Sequence, residues 1–540
     1  MKVLNKIKKF FLFQSQPENN DFILKDPEEI VKYDIRNESN NQSQYITNNY
    51  DENLKIIEDT FSYPNNNDFV IRKIKILENT KAFLIFFDGM VDTQSVDLAI
   101  IKPLLELPRI SSLDDKNEIM ERLISHSQAT KVTEFSTIVD DVNFGSCGVF
   151  IDGLNYGLSL DVRNWGHRGI EKPGMEQSLY GPQEAFSEML RNNSALVRKI
   201  LKTEKLICMG VNIGKVSKTR GVLMYISDLA NDDLVKEVKK RIDGIAVDYI
   251  IAIEEVSLFL EEKSFMITNQ IMATERPDRV ARALSEGRVA LILNGSPKAL
   301  VFPTNAFELL HSASDGYLRF PYANMTRALR LLSIFISLLL PALYLAITLY
   351  HHEMVPTFLM FSISAARENV PFPSIVELLI MNFSFELVRE AGIRMPGTIG
   401  STLGIVGGLI LGQAAVSAKI VSPLMIIVIA ITGIASFAIS DYSLEWSYRI
   451  LRLVFIILAA LAGFYGVAMG IFLYAVLLGG YTSFGVPFLS PMTSGKRGSM
   501  SKSVFVNPIW KNEKRPDFLK TKDDIQEPKI SRKWRINKRK

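Results

Sequence analysis

Hydrophobic and polar positions divide the chain into unlike stretches. Short apolar runs alternate with polar ones over residues 68–325, apolar residues dominate from 326 to 490, and 491–540 is hydrophilic again. In the first stretch AFLIFFDG (82–89), CGVFIDGLNYGLSLDV (147–162, with a Gly/Asn turn), GVLMYIS (221–227) and RVALILNG (288–295) have the continuous or alternating pattern of strands. Between them SVDLAIIKPLLEL (95–107), PQEAFSEMLRNNSALVRKIL (182–201) and DDLVKEVKKRIDG (232–244) carry helical spacing, the last with a stop at Gly244. Strands mixed with helices predict an α/β soluble N-terminal domain of two subdomains, about 68–190 and 195–315, meeting near 185–220.

Residues 1–67 form an Asn-rich N-terminal arm. IRNESNNQSQYITNNYDEN and YPNNNDF offer too little apolar surface to offset the entropy of ordering, which predicts a flexible segment. The basic start MKVLNKIKKFFLFQSQ lacks the long apolar core and small-residue site of a signal peptide. The large N-terminal domain is therefore expected on the cytoplasmic side. Cys147 and Cys208 are too few for a disulfide framework and read as buried structural residues.

The apolar stretch predicts an α-helical polytopic membrane domain with four to five spans. Residues 329–350 are long enough to cross a hydrocarbon core of roughly 30 Å, and Arg319, Arg327 and Arg330 mark their start as cytoplasmic. Further spans are expected over 403–421 and 423–440, and 453–489 reads as one long span or two short ones. From Lys496 the tail has fifteen Lys or Arg against five Asp or Glu, which also places it in the cytoplasm. Both ends inside requires an even number of crossings. Four full spans are favoured, with 374–391 as a re-entrant or interfacial helix. Gly404, Gly408 and Gly412, and Ala462, Gly466 and Gly470, recur every four residues. Such faces let helix backbones approach closely in lipid, within one chain or between copies.

PFPSIVELLIMNFSFELVREAGIRMPGTIG (371–400) places charges in this apolar setting. Ser374 and Glu377 have the spacing of a capping box behind Pro371 and Pro373. At 100° per residue Asn382, Glu386, Arg389 and Glu390 form one polar stripe, with Arg394 in reach of Glu390. Ionisable groups at membrane depth are costly and face a protein interior or a polar cavity. The stripe is either a set of salt bridges holding an interfacial helix, or the lining of an ion path or subunit contact. Gln413, polar within a glycine-faced span, is added as a candidate on the same ground.

Enzymatic constellations are missing from the sequence. GVNIGKVS (210–217) has three residues between its glycines, where a P-loop needs four, and Val216 follows Lys215. There is no HExxH or GxSxG, and the neighbours His351 and His352 point about 100° apart on a helix. Asp140-Asp141 and Glu254-Glu255 read as solvated faces rather than acid/base pairs. The polar stretch 163–186 is a long loop of the kind that contacts ligands or subunits. No cofactor, metal, catalytic residue or nucleic-acid partner is expected.

The 371–423 region, PFPSIVELLIMNFSFELVREAGIRMPGTIGSTLGIVGGLILGQAAVSAKIVSP, resembles the signature of the GerA family, the A subunits of bacterial spore germinant receptors. DFVIRKIKILENTKAFLIFFDGMVD, LYGPQEAFSEMLRNNSALVRKIL, TERPDRVARALSEGRVALILNGSP and SFGVPFLSP extend the likeness over about 68–491. The expanded Asn-rich arm departs from the family, and its acidic-Pro pair is only approximated by Glu171-Lys172-Pro173. The resemblance implies a multi-pass protein of the spore inner membrane acting with a multi-span B subunit and a lipoprotein C subunit. It implies that the B subunit holds the germinant while A subunits oligomerise into an ion conduit, upstream of cation and dipicolinate release. Two other readings stand beside it: the family paralogue associated with the dipicolinate channel, which amplifies germination, and a non-conducting membrane scaffold.

Overall fold

The computed structural model describes residues 22–27, 45–76, 80–105, 129–164, 172–174, 176, 180–263, 266–394, 412–493 and 504–526. The first subdomain comprises α1 (Tyr50–Thr60), β1 (Phe69–Ile76), β2 (Thr80–Phe87), a helical stretch over 93–105, β3 (Ala129–Val132), α2 (Phe135–Asn143), β4 (Cys147–Ile151) and β5 (Gly157–Leu160). Its strands form one antiparallel sheet in the order β1-β2-β4-β5-β3. Successive strand residues point to opposite faces, and β2 buries both. Leu84 and Phe86 pack with Val96, Ile100 and Leu104, whereas Phe83, Ile85 and Phe87 pack with Tyr50, Ile57 and Ile138.

The second subdomain comprises α3 (Leu190–Ile200), β6 (Leu206–Ile213), β7 (Thr219–Ile226), α4 (Asp232–Asp243), α5 (Ile253–Leu260), β8 (Met272–Thr274), α6 (Pro277–Ser285), β9 (Val289–Leu293) and β10 (Ala299–Phe302). Its sheet, again antiparallel, has the order β6-β7-β9-β10-β8. This repeats the first sheet strand for strand, with α2 and α6 at equivalent places. The two-subdomain α/β organisation is therefore present, as two copies of one unit.

The expected flexible arm over 1–67 is corrected at its C-terminal end. Residues 45–67 are folded: Asn49 caps α1, and Ile46, Tyr50, Leu54, Ile57 and Phe61 enter the first core. Its asparagines act as structural groups, since Asn53 binds Thr47 and Asn66 is buried at the subdomain junction. There Arg198 of α3 is buried with Asp68. Its Nε and Nη2 donate to the Asp68 carboxylate at 2.5 and 2.8 Å, and Nη2 also reaches Asn66 Oδ1 at 2.9 Å and Leu206 O at 3.0 Å. Cys147 and Cys208 are both free and buried, and burial pushes both thiols up.

The helical part comprises α7 (Phe320–Leu349), α8 (Thr357–Arg367), α9 (Ser374–Arg394), α10 (Pro423–Phe437) and α11 (Tyr442–Gly479). Two of these, α7 and α11, are long and apolar enough to cross a membrane. Four to five spans are not confirmed. Most of the expected span 403–421 lies outside the described residues, and α10, with 15 residues, is about 22 Å long, short of a crossing. In α11 the backbone leaves helical geometry at Ala462 and Gly463, where φ is +57° at the glycine, a region other residues rarely adopt. The helix doubles back there. Ser447 Oγ donates to Ile267 O at 2.6 Å and Tyr474 OH meets Thr268 Oγ1 at 3.2 Å, so its two ends lie side by side. Of the alternatives for 453–489, two short antiparallel arms are the ones observed.

Segment 374–391, expected as a re-entrant or interfacial helix, packs along two neighbouring helices. Asn382 meets Arg452 and Arg389 meets Glu445, which sets α9 lengthwise and antiparallel to the first arm of α11. Glu377 meets Ser422 and Arg389 meets Ser436, which sets it parallel to α10.

The chain then returns to the second subdomain. Residues 482–487 form a two-residue hairpin with positive φ at Phe484 and Gly485, the I′ pattern. Phe484 and Val486 enter one core of that subdomain, Tyr481 and Phe488 the other. Nor is the tail a separate basic extension over its described part: Phe518 and Leu519 are buried in the same core as Phe484, beside Leu24.

Removing one partner of a buried ion pair costs roughly 3–5 kcal/mol. Arg198→Met is expected to lower the stability of the first-to-second subdomain unit by about that amount, read by denaturant unfolding of the purified chain. Adding Asp68→Leu, which strands neither charge, is expected to recover much of the loss.

Candidate functional site

The polar positions of α9 recur on one face because seven residues make nearly two turns. Asn382, Glu386 and Arg389 share that face, and the first arm of α11 presents Glu445, Arg449 and Arg452 at four- and three-residue steps opposite them. All but Glu386 are buried. Arg389 Nη1 donates to Glu445 Oε1 at 2.8 Å, and Arg449 Nη2 donates to the same oxygen at 2.7 Å. Arg389 also donates to Ser436 Oγ of α10 and lies between the Phe385 and Phe437 rings, 4.9 and 4.6 Å from their centroids.

Arg452 ties in α7. Its Nε donates to Ser337 O at 2.9 Å, Nη2 to Ser337 Oγ at 3.0 Å and Nη1 to Asn382 Oδ1 at 3.2 Å. One cluster thus joins α7, α9, α10 and α11. Glu386 sits at its focus in a different way. Its carboxylate stands 3.9 Å from Arg389, 3.6 Å from Arg449 and 3.7 Å from Arg452, longer than direct hydrogen bonds, and its side chain is 29% exposed.

The remaining sequence candidates divide. Glu390 lies on α9 half-buried, and Arg394 is the last residue of that helix. Gln413 is exposed, on a helical turn away from the cluster. Gly412 is buried against Ile426, whereas Gly404 and Gly408 lie outside the described residues. Gly466 abuts the Leu458 carbonyl, Gly470 faces Phe455 and Leu458, and Ala462 sits at the break. That repeat packs the hairpin within one chain.

Ser374 and Glu377 do not form the expected capping box. Ser374 Oγ is buried without a hydrogen bond, while Glu377 Oε2 accepts from Ser422 N at 2.9 Å and Oε1 lies 3.6 Å from Arg367 Nε. Glu377 instead serves the N-cap residue of α10, where a carboxylate also complements the helix dipole.

Sequence reasoning missed Arg367, Glu445, Arg449 and Arg452. The signal was present for the last three: they fall on one helix face at the entry to an apolar run. Loop residues 163–186, expected to contact a ligand or subunit, in part dock on the second subdomain. Arg276 Nη2 donates to Pro182 O at 2.8 Å, and Glu176 pairs with Arg279 at 3.2 Å. Burial, the largest influence on Glu176, holds its carboxyl above the usual range despite Arg279. No group of His, Cys, Asp and Glu among the described residues is arranged to hold a metal ion.

Arg452→Met is expected to strand Asn382 and Ser337 and to loosen α7 from α9. A loss of roughly 3–5 kcal/mol is expected, read as reduced amount of the chain in membranes and a lower unfolding midpoint in detergent. Glu386→Gln, which removes no short hydrogen bond, is expected to leave both nearly unchanged.

The profile described as Bacillus/Clostridium GerA spore germination protein matches residues 55–518. Spore germination protein KA of Bacillus subtilis (strain 168) is 37% identical over 467 residues, covering 86% of each chain. Uncharacterized membrane protein YfkQ of the same organism is 36% identical over 483 residues, covering 89% of this chain and 93% of that one. Spore germination protein GerLA of Bacillus cereus is 33% identical over 485 residues, with 90% and 98% covered. The crystal structure of the N-terminal domain of the A subunit of the Bacillus megaterium spore germinant receptor GerK3 is similar at 28% identity and a TM-score of 0.37, covering 48% of this chain and 96% of that one. With a profile that spans both the α/β and the helical parts, the chain belongs to the GerA family of spore germination proteins.

Proposed function

We propose that the chain is the A subunit of a spore germinant receptor, which turns a nutrient signal into ion release across the spore inner membrane. The observation that carries this reading is the family match across 55–518, which takes in the sheets, the charge cluster and the return hairpin together. In this reading α7 and the α11 hairpin enter the membrane, and the α/β domain and tail lie in the cytoplasm, as the basic tail favours. B and C subunits complete the receptor, and copies of this chain associate around an ion conduit.

Glu386 is the residue assigned to the conduit. The arginines around it are buried and engaged by shorter bonds, whereas Glu386 is 29% exposed, makes only long ion pairs, and has one buried carboxylate oxygen, Oε1, without a hydrogen bond. Such a group can meet a passing cation or a neighbouring copy without dismantling the helix contacts. Asn382, Arg389 and Glu390 belong to the same helix and set its field, and Arg394 is the last residue of that helix; Gln413, exposed elsewhere, is a candidate contact between copies.

The test is potassium efflux from spores carrying the intact gene, its deletion or Glu386→Gln, challenged with single nutrients and checked for protein level by immunoblot. Loss of the response to one nutrient class in the deletion, with a severalfold weaker response in the point variant at normal level, is expected. A uniform slowing of all responses in the deletion would instead identify the amplifying paralogue. Full efflux in Glu386→Gln would return the stripe to a scaffold role.

A further inference from the structure

A cleft of about 1050 Å³ lies between the second subdomain, the start of α7 and the returning tail. Four carboxylates line it, Glu286, Glu308, Asp315 and Asp517, and the first three are engaged by arginines. Glu286 and Glu308 pair with Arg288, and Asp315 pairs with Arg327 and Arg330. Two of its arginines are engaged as well, Arg279 with Glu176 and Arg515 with Asp523. Arg282, Arg319 and Lys514 remain: all three line the cleft, are exposed, and have no carboxylate partner among the described residues. The cleft is therefore left with unpaired positive charge.

Its rim is apolar. Phe320, Phe505, Ile509 and Trp510 line it while 43%, 52%, 64% and 40% exposed. The tail is held in this place by Asn324 of α7, whose side chain brackets the Val506 backbone at 2.7 and 3.1 Å. Basic groups beside exposed Trp and Phe at the foot of an apolar helix match the chemistry of the membrane surface, where anionic headgroups meet the first carbons of the acyl chains.

We propose that this cleft binds the phosphodiester headgroup of an anionic phospholipid. Arg282, Arg319 and Lys514 take the charge, and Phe320, Phe505 and Trp510 take the glycerol and upper acyl region. The occupied cleft clamps the tail and the base of α7 to the second subdomain. The inference rests on α7 entering a membrane, which retention of the chain in carbonate-washed membranes tests separately.

The experiment places the purified full chain in nanodiscs of phosphatidylcholine, or of equal parts phosphatidylcholine and phosphatidylglycerol. It reads the unfolding midpoint, and the lipid retained on extraction by mass spectrometry. The intact chain is expected to unfold at a higher temperature in the mixed discs and to retain phosphatidylglycerol over phosphatidylcholine by about a hundredfold, from three basic side chains at the surface. Arg282→Gln with Arg319→Gln and Lys514→Gln is expected to abolish both effects, and Arg319→Gln alone to weaken them. Arg72→Gln with Lys75→Gln, on exposed β1 positions, is expected to change neither. Equal behaviour of the intact chain in both discs, or an undiminished preference in the triple variant, overturns the proposal. So does an equal rise in midpoint with glycerol phosphate in phosphatidylcholine discs, which would mark a soluble phosphate as the ligand.

Discussion

Charges inside an apolar helix bundle must be paired with one another, and the helical half of this chain is arranged around that requirement. Each Arg or Asp at the centre of a membrane helix costs roughly 2.5–3.5 kcal/mol on insertion scales. Here Arg389, Arg449 and Arg452 answer Glu386 and Glu445 across the α9–α11 contact, and Ser337, Ser436 and Asn382 absorb most of the remaining donors. The pairing fixes helix direction and depth. A slip of one turn along α9 would separate Arg389 from Glu445 and Asn382 from Arg452 together. Bundle geometry and charge pairing are thus one constraint, and Glu386, the member with the loosest contacts, is where that constraint leaves room for function.

The same bundle is fastened to the soluble domain at several points. Asp315, buried, receives Arg327 and Arg330 of α7; Ile267 and Thr268 hold the two ends of α11; the 482–487 hairpin is bound inside the second subdomain, with Ser483 Oγ donating to Gln270 O at 3.0 Å. Arg327 and Arg330, which read in sequence as marks of a membrane surface, are anchors to the domain. A change in the second subdomain therefore loads the foot of α7 and both ends of α11 at once. The first subdomain is joined to this assembly at the Arg198–Asp68 junction, among other contacts.

Much of the soluble fold was legible because its core strands are apolar on both faces, as in AFLIFF, and because α4 ends at Gly244 where the pattern said it should. The doubled sheet topology was not legible, since equivalent strands such as CGVFI and VALIL share little beyond burial. In the arm, composition misled. Asn49 and Asn53 act locally, as a cap and as a partner of Thr47, whereas the role of Asn66 depends on Arg198, far along the chain. Half the charge cluster showed as a stripe on α9; the other half, Glu445, Arg449 and Arg452, lay at the mouth of an apolar run and was passed over. Glu377 had the spacing of a cap, but its partners Ser422 and Arg367 come from other helices, which no local pattern contains.

The most direct measurement of the central claim is a double-mutant cycle on Arg389→Gln and Glu445→Gln, read by the unfolding of the full chain in detergent. If the two side chains are bonded across α9 and α11, the double variant should lose less than the sum of the singles, by at least about 1 kcal/mol. Losses that add to within about 0.5 kcal/mol would show that the two charges act independently, and would contradict a bundle held by this cluster.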